Sequence, residues 1–181
     1  MMKHAIPDAF SAAECDRIVA AVRAAEASDA GLVRGARDHN LRRADLVWVD
    51  DLDGMGWVAD RLVDVVREAN RGFGFDLDAM AESPQVARYG AERQGHFGWH
   101  SDIGEGPVAA RRKLTLVVQL SEAAAYEGGA LELMPGAGVL AAEKARGWAT
   151  AFPSFVIHRV TPVTRGERHS LTIWAHGPAF R

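Results

Sequence analysis

Apolar residues recur at helical spacing along the first third of the chain. Cys15, Ile18, Val19 and Val22 fall on one face of a segment opened by Ser11 and Glu14, the Ser-x-x-Glu spacing of a capping box. The pattern predicts a helix from this point, stopped by Ser28 to Gly31. A short apolar run, LVWV at Leu46–Val49, has the character of a strand. Val58, Leu62, Val65, Val66 and Ala69 then predict a second helix from about Trp57 to Asn70, with Gly72 as its stop.

From Gln85 the period changes. Short β-rich segments are separated by Gly and Pro: QVARY (85–89), HFGWHSD (96–102), RKLTLVVQLS (112–121), GALELM (129–134), GWATAFP (147–153), FVIHRV (155–160) and RHSLTIWA (168–175). Strand-sized runs at this density predict an antiparallel sandwich or jelly roll. The fold class expected is mainly β with N-terminal helices, in one domain over 1–181. Residues 1–80 would be mostly helical support and 85–177 the barrel-like core.

Alternation within two of these segments separates their faces. In RHSLTIW, Arg168, Ser170, Thr172 and Trp174 share one face, and His169, Leu171 and Ile173 the other. Thr115 and Gln119 likewise oppose Leu114, Leu116, Val118 and Leu120. The apolar faces suit packing against the helices, which turns Arg168 and its neighbours toward the barrel interior.

Composition narrows the function classes. Hydrophobic residues make up 48% and charged residues 25%, and the formal net charge of -3 gives no reason to expect a nucleic-acid or membrane surface. No apolar run approaches the roughly 20 residues of a membrane span. The start, MMKHAIPDAF, lacks an apolar core and cleavage site, so no secretory signal is expected. Cys15, the single cysteine, has no intramolecular partner and suits a reducing cytoplasm. Of seven histidines, four lie between His96 and His169.

His100 and Asp102 stand two residues apart in a strand-like segment, so their side chains point the same way. A third ligand from a distant strand would complete three corners of an octahedron, and His158, closing the apolar run FVI, is the best candidate. Two imidazoles and one carboxylate suit Fe(II), leaving open positions for other ligands. Arg168 follows His158 by ten residues. An unpaired guanidinium inside a barrel costs several kcal/mol, so a buried Arg168 calls for an anion, and its planar fork matches a carboxylate.

The stretches YGAERQGHFGWHSD, RKLTLVVQLS, YEGGALEL and FPSFVIHRVTPVTRGERHSLTIW resemble the Fe(II)/2-oxoglutarate dioxygenases of the prolyl-4-hydroxylase type, over about half the chain from Gln85 to Gly177. The resemblance implies a double-stranded β-helix (jelly-roll) core with His100, Asp102 and His158 as iron ligands. It implies that Arg168 binds the distal carboxylate of 2-oxoglutarate, that Tyr89 hydrogen-bonds this co-substrate, and that O2 completes the reaction. Decarboxylation to succinate and CO2 would accompany hydroxylation of an unactivated C–H bond. Related halogenases replace the metal-binding carboxylate with a small residue, so Asp102 favours hydroxylation. One departure is Gln119, where some relatives have a tyrosine assisting the arginine; its amide can donate to the same carboxylate. Ser170 is a further hydroxyl donor on the Arg168 face.

The implied substrate is a peptide or protein side chain, a free amino acid or a small metabolite. Ile103–Arg111 and Leu32–Arg43 are expected to wall its pocket. The second segment carries Arg34, Arg37, Arg42 and Arg43, which could bind an acidic group or form a solvated face. Trp99 and Trp174 neighbour the expected site as candidate walls, and His96 reads either as a support behind the metal ligands or as structural. A cupin-like metal enzyme or a non-catalytic metal-binding sensor on the same fold are the alternatives; the first has no use for Arg168, and the intact ligand set speaks against the second.

Overall fold

A computed structural model describes residues 1–27, 34–35 and 41–180, with the backbone alone at 34–35. In chain order the elements are β1 (His4–Ile6), α1 (Ala12–Ala27), β2 (Arg34–Gly35), β3 (Arg42–Arg43), β4 (Asp45–Trp48), α2 (Trp57–Phe73), β5 (Gln85–Gly90), β6 (His96–His100) and β7 (Arg112–Gln119). The chain then continues through β8 (Tyr126–Gly128), β9 (Leu131–Met134), β10 (Leu140–Ala141), β11 (Ala149–Pro153), β12 (Ile157–Val160) and β13 (Val163–His176).

The capping box forms as its sequence predicts. Ser11 N–H donates to Glu14 Oε2 over 2.8 Å, and Glu14 N–H donates to Ser11 Oγ over 3.1 Å. The expected stop of α1, Ser28 to Gly31, lies outside the described residues, as do the side chains of Arg34 and Arg37. Helix α2 runs past its expected end. Gly72 is inside it, and the stop is Gly74, left-handed at φ 67° with its N–H on Asn70 O at 2.7 Å. Gly72 lies against the ends of the Met1 and His4 side chains.

Two antiparallel sheets form a jelly roll. The larger runs β1-β11-β7-β13-β5-β4-β2, with β8 also on β13, and the smaller runs β10-β9-β12-β6-β3. The N-terminal third therefore adds β1 and β4 to the large sheet as well as supplying helices. Helices α1 and α2 cover the outer face of the large sheet. There Ile18, Val22, Val58, Leu62, Val65 and Val66 pack against Leu114, Leu116, Val118, Leu171 and Ile173. Burying each such side chain contributes roughly 1.5–3 kcal/mol. The inner face meets the small sheet across a second cluster containing Leu46, Tyr89, Val117, Tyr126, Leu133, Phe152 and Val160. Strict alternation in β7 and β13 thus separates a helix-facing apolar layer from a polar interior. No described helix is long and apolar enough to cross a membrane.

Candidate metal and anion site

One cavity between the sheets is lined by His100, Asp102, His158, Tyr89, Arg168, Ser170, Thr172, Trp174, Thr115, Phe97 and Arg42, among others. Register explains the convergence. His158 on β12 lies directly opposite His100 on β6, and the pairing shifts so that Val160 faces Phe97. The extra β6 residue is a bulge, which turns both Phe97 and His100 inward. Their rings stack with centroids 3.5 Å apart. Strand β6 ends at His100, so Asp102 arrives from a bend beyond it, its backbone N–H held by Ser154 O at 2.9 Å.

The three donor atoms lie within 4.8 Å of one another and could hold a metal ion. His100 Nε2 is 3.4 Å from Asp102 Oδ1, and His158 Nε2 is 3.5 Å from Asp102 Oδ2. Each imidazole donates Nδ1–H to a backbone carbonyl, His100 to Gly98 at 2.7 Å and His158 to Val156 at 2.9 Å. In the neutral rings those bonds leave the Nε2 lone pairs aimed at the centre. Burial pushes His158 toward the neutral form. Burial alone would raise Asp102, but the two imidazoles and the Trp174 indole outweigh it and hold the carboxyl well below the usual carboxylate range. Two imidazole nitrogens and a carboxylate oxygen are a donor set that fits Fe(II).

Asp102 Oδ2 is clamped by cross-strand neighbours. Thr115 on β7 and Trp174 on β13 are paired, and they donate from Oγ1 and Nε1 over 2.8 and 2.9 Å. Behind Trp174, the Arg112 guanidinium lies 3.9 Å from the ring centroid and donates Nη1–H to Asp102 O at 3.0 Å. Arg112 is itself gripped by Glu82, which also accepts from His176 Nε2 at 2.9 Å.

At the other end of the cavity Arg168 is only 1% exposed. Its Nε donates to Gln119 Oε1 at 3.1 Å, while Nη1 and Nη2 are buried without a partner. Gln119 therefore presents its carbonyl oxygen to the arginine and holds it. Tyr89, opposite Arg168 in the β5–β13 pairing, has its ring centroid 5.3 Å from the guanidinium carbon. The Tyr126 hydroxyl, beside Arg168, is also buried and unpartnered. Gly129, at φ 60°, leaves the space for this pair, since a Cβ would sit 3.1 Å from Arg168 Cδ and 3.3 Å from Tyr126 Cε2.

Every expected site residue except Gln119 lines this cavity, and Gln119 touches it through Arg168. Thr115, Tyr126 and Arg42 were given no individual role by the sequence. Of the two tryptophans, Trp174 lines the cavity, whereas Trp99 stacks under Arg159 at 4.5 Å and is not among its lining residues. His96 is also outside the lining, its Nδ1 on Gln94 O at 2.9 Å.

A jelly roll with two histidines, an aspartate and a buried arginine around one cavity defines a class of metal-dependent oxygenase. The profile of the 2OG-Fe(II) oxygenase superfamily matches residues 84–176, and the chain belongs to that family. Its members use Fe(II), 2-oxoglutarate and O2, and the likeness is to the prolyl-4-hydroxylase type. A PKHD-type hydroxylase of Sphingopyxis alaskensis is 36% identical over 97 residues, covering 52% of this chain but only 44% of that protein. A PKHD-type hydroxylase of Pseudomonas putida is 28% identical over 186 residues, covering 96% of this chain and 77% of its own length. The crystal structure of a Pseudomonas putida prolyl-4-hydroxylase superposes with a TM-score of 0.77 at 22% identity, over 98% of this chain and 93% of that one.

Proposed function

We propose that the chain, acting as a single domain, is an Fe(II)- and 2-oxoglutarate-dependent hydroxylase. In this reading His100, Asp102 and His158 hold the iron, and Arg168 binds the distal carboxylate of 2-oxoglutarate. The observation that carries it is one cavity containing both a three-donor cluster and two unpaired guanidinium nitrogens. A cupin-like enzyme would have an anion for neither Nη1 nor Nη2 of Arg168, at a cost of several kcal/mol.

Bound iron supplies the redox centre at which O2 and 2-oxoglutarate react to give succinate and CO2. The side chains do the positioning. Thr115 and Trp174 fix the orientation of Asp102, and the Gly98 and Val156 carbonyls fix the tautomers of His100 and His158. Gln119 holds the Arg168 fork, and the hydroxyls of Tyr126, Ser170 and Tyr89 are available to the bound dicarboxylate. A buried, largely apolar wall of Leu46, Ala87, Val117, Leu131 and Val160 excludes water from the oxidation.

The substrate class is a peptide or protein side chain, an amino acid or a small metabolite, and peptidyl proline is the first to test. The experiment screens such compounds for stimulated succinate formation and weighs the products. A product heavier by one oxygen supports hydroxylation, while a desaturated or halogenated product overturns it and leaves the co-substrate reading standing. His158→Ala should abolish tight Fe(II) binding with the fold retained. Unchanged metal titration in that variant would remove His158 from the ligand set.

A further inference from the structure

Among the described residues, most arginines withdrawn from water are paired with carboxylates. Arg88 reaches Asp45, Glu92 and Glu167, Arg112 grips Glu82, Arg146 bridges Asp16 and Glu122, Arg159 holds Glu132, and Arg61 holds Glu14. Arg168 and Arg42 have no such pair, and both line the same cavity. Arg168 has its anion in the proposed reaction. Arg42 does not.

Arg42 lies on the two-residue strand β3, paired with Phe97 on β6. Its guanidinium carbon sits 3.8 Å from the Phe97 ring centroid, and Phe97 in turn stacks on His100. One aromatic ring thus separates the cation from a candidate metal ligand. The Nε atom is buried with no hydrogen-bond partner, and no described Asp or Glu forms an ion pair with the side chain. Burial pushes its pKa down, Tyr89 and then Asp102 only partly oppose that, and Arg112 adds to it. Asp102 is also committed elsewhere, with Oδ2 taken by Thr115 and Trp174 and both oxygens facing imidazoles. With no counter-charge among the described residues, a half-buried guanidinium destabilises the ligand-free protein, and an incoming anion relieves that cost.

We infer that Arg42 binds a carboxylate of the primary substrate, so that the enzyme acts on an acid whose charged group is held on the Phe97 side of the His100 ligand. The inference rests on the proposed oxygenase reading and deepens it. The planar fork selects a carboxylate in two-point fashion, which a carboxamide of the same shape cannot match. The same chemistry could be offered by the 2-oxoglutarate carboxylate nearer the metal, and the experiment separates the two sources.

Two variants serve, Arg42→Met, which keeps the length and the packing over Phe97, and Arg42→Lys, which keeps the charge without the fork. The first measurement is anaerobic titration of 2-oxoglutarate into the Fe(II) protein, read by its metal-to-ligand charge-transfer band. Affinity in Arg42→Met within about twofold of wild type is expected, and a loss of tenfold or more would assign Arg42 to the co-substrate and overturn the proposal. The second is succinate formation with matched probes. These are amino acids and proline-containing peptides as free acids and as C-terminal amides, and Asp- or Glu-containing peptides beside their Asn or Gln counterparts. Wild type should favour an acid over its amide by at least about tenfold in kcat/KM, carried mainly by KM. Arg42→Met should erase that preference, and Arg42→Lys should keep part of it. A panel in which no acid outperforms its amide, or an acid preference retained by Arg42→Met, overturns the assignment. Failure of the oxygenase reading looks different, because the charge-transfer band would then be absent from wild type itself.

Discussion

Trp174 donates its indole N–H to Oδ2 of Asp102 over 2.9 Å, from the same strand face that carries Arg168. One strand therefore orients the carboxylate at one end of the cavity and presents an anion receptor at the other. The indole is itself fixed, since Arg112 stacks on it and is anchored by Glu82. Partners of this kind set the direction of a ligand lone pair. Trp174→Phe keeps the ring in place and removes only the donor. Fe(II) affinity should fall about 10- to 100-fold, with the far-UV spectrum and unfolding midpoint little changed. Equal affinity by competition against a chromophoric chelator would show that Thr115 alone suffices.

At the far end the expectation concerns a different ligand. Truncating one partner of a desolvated, charge-assisted pair costs roughly 2–5 kcal/mol, or about 30- to several-thousand-fold in affinity. Arg168→Ala should raise the 2-oxoglutarate requirement by that order and leave iron affinity nearly constant. Arg168→Lys should fall between, because the ammonium keeps the charge and loses the fork. Anaerobic titration followed by the charge-transfer band measures both, and an unchanged requirement in Arg168→Ala would remove the main reason for preferring an oxygenase to a cupin-like enzyme.

Tyr126 offers a finer test of the same end. Its hydroxyl and the two Arg168 nitrogens are three buried donors without acceptors. Tyr126→Phe removes one of them without changing the packing. A weakening of 2-oxoglutarate binding by roughly 1.5–3 kcal/mol is expected, the range for a hydrogen bond to a charged group. Wild-type affinity in this variant would leave the carboxylate to Arg168 and its other neighbours.

What could be read from the sequence follows from which features are local. Arg168, Ser170, Thr172 and Trp174 share a face because a strand covered on both sides keeps a strict period of two, and their inward direction follows once Leu171 and Ile173 are given to the helices. The Ser11–Glu14 cap is equally local. Gly72 and Gly74 look alike in sequence, and only the left-handed φ of Gly74 marks which of them stops α2. The β6 bulge that turns Phe97 inward beside His100 depends on pairing with β12, which alternation cannot reveal. Tyr126 has no legible role in the sequence because its neighbour Arg168 comes 42 residues later. Arg42 lies on a strand too short to carry any period.

The last expectation concerns stability, on the face of β13 away from the cavity. His169 is 1% exposed with Nε2 unpartnered, and burial above all pushes its pKa down to about 4 from an ordinary 6.5. Glu167 opposes the shift, while Arg23, Arg88 and Arg168 reinforce it. The unfolded chain binds this proton below pH 6.5 and the folded chain does not until about pH 4. Unfolding therefore takes up a proton within that window, and stability falls as pH falls through it. Above pH 6.5 both states are neutral at this position and the group contributes no pH dependence. Fully developed, the difference is on the order of 3 kcal/mol. His169→Met keeps a side chain of similar volume and cannot titrate. Urea unfolding of the metal-free protein between pH 7 and pH 4 should show wild type losing stability faster than the variant, the gap growing toward the acid end. Burial raises the Glu167 pKa, but Arg23, Arg88 and His169 outweigh it, so the gap between the two proteins reads His169 together with its effect on Glu167. Parallel curves for the two proteins would mean that His169 is protonated as readily in the folded chain as in the unfolded one.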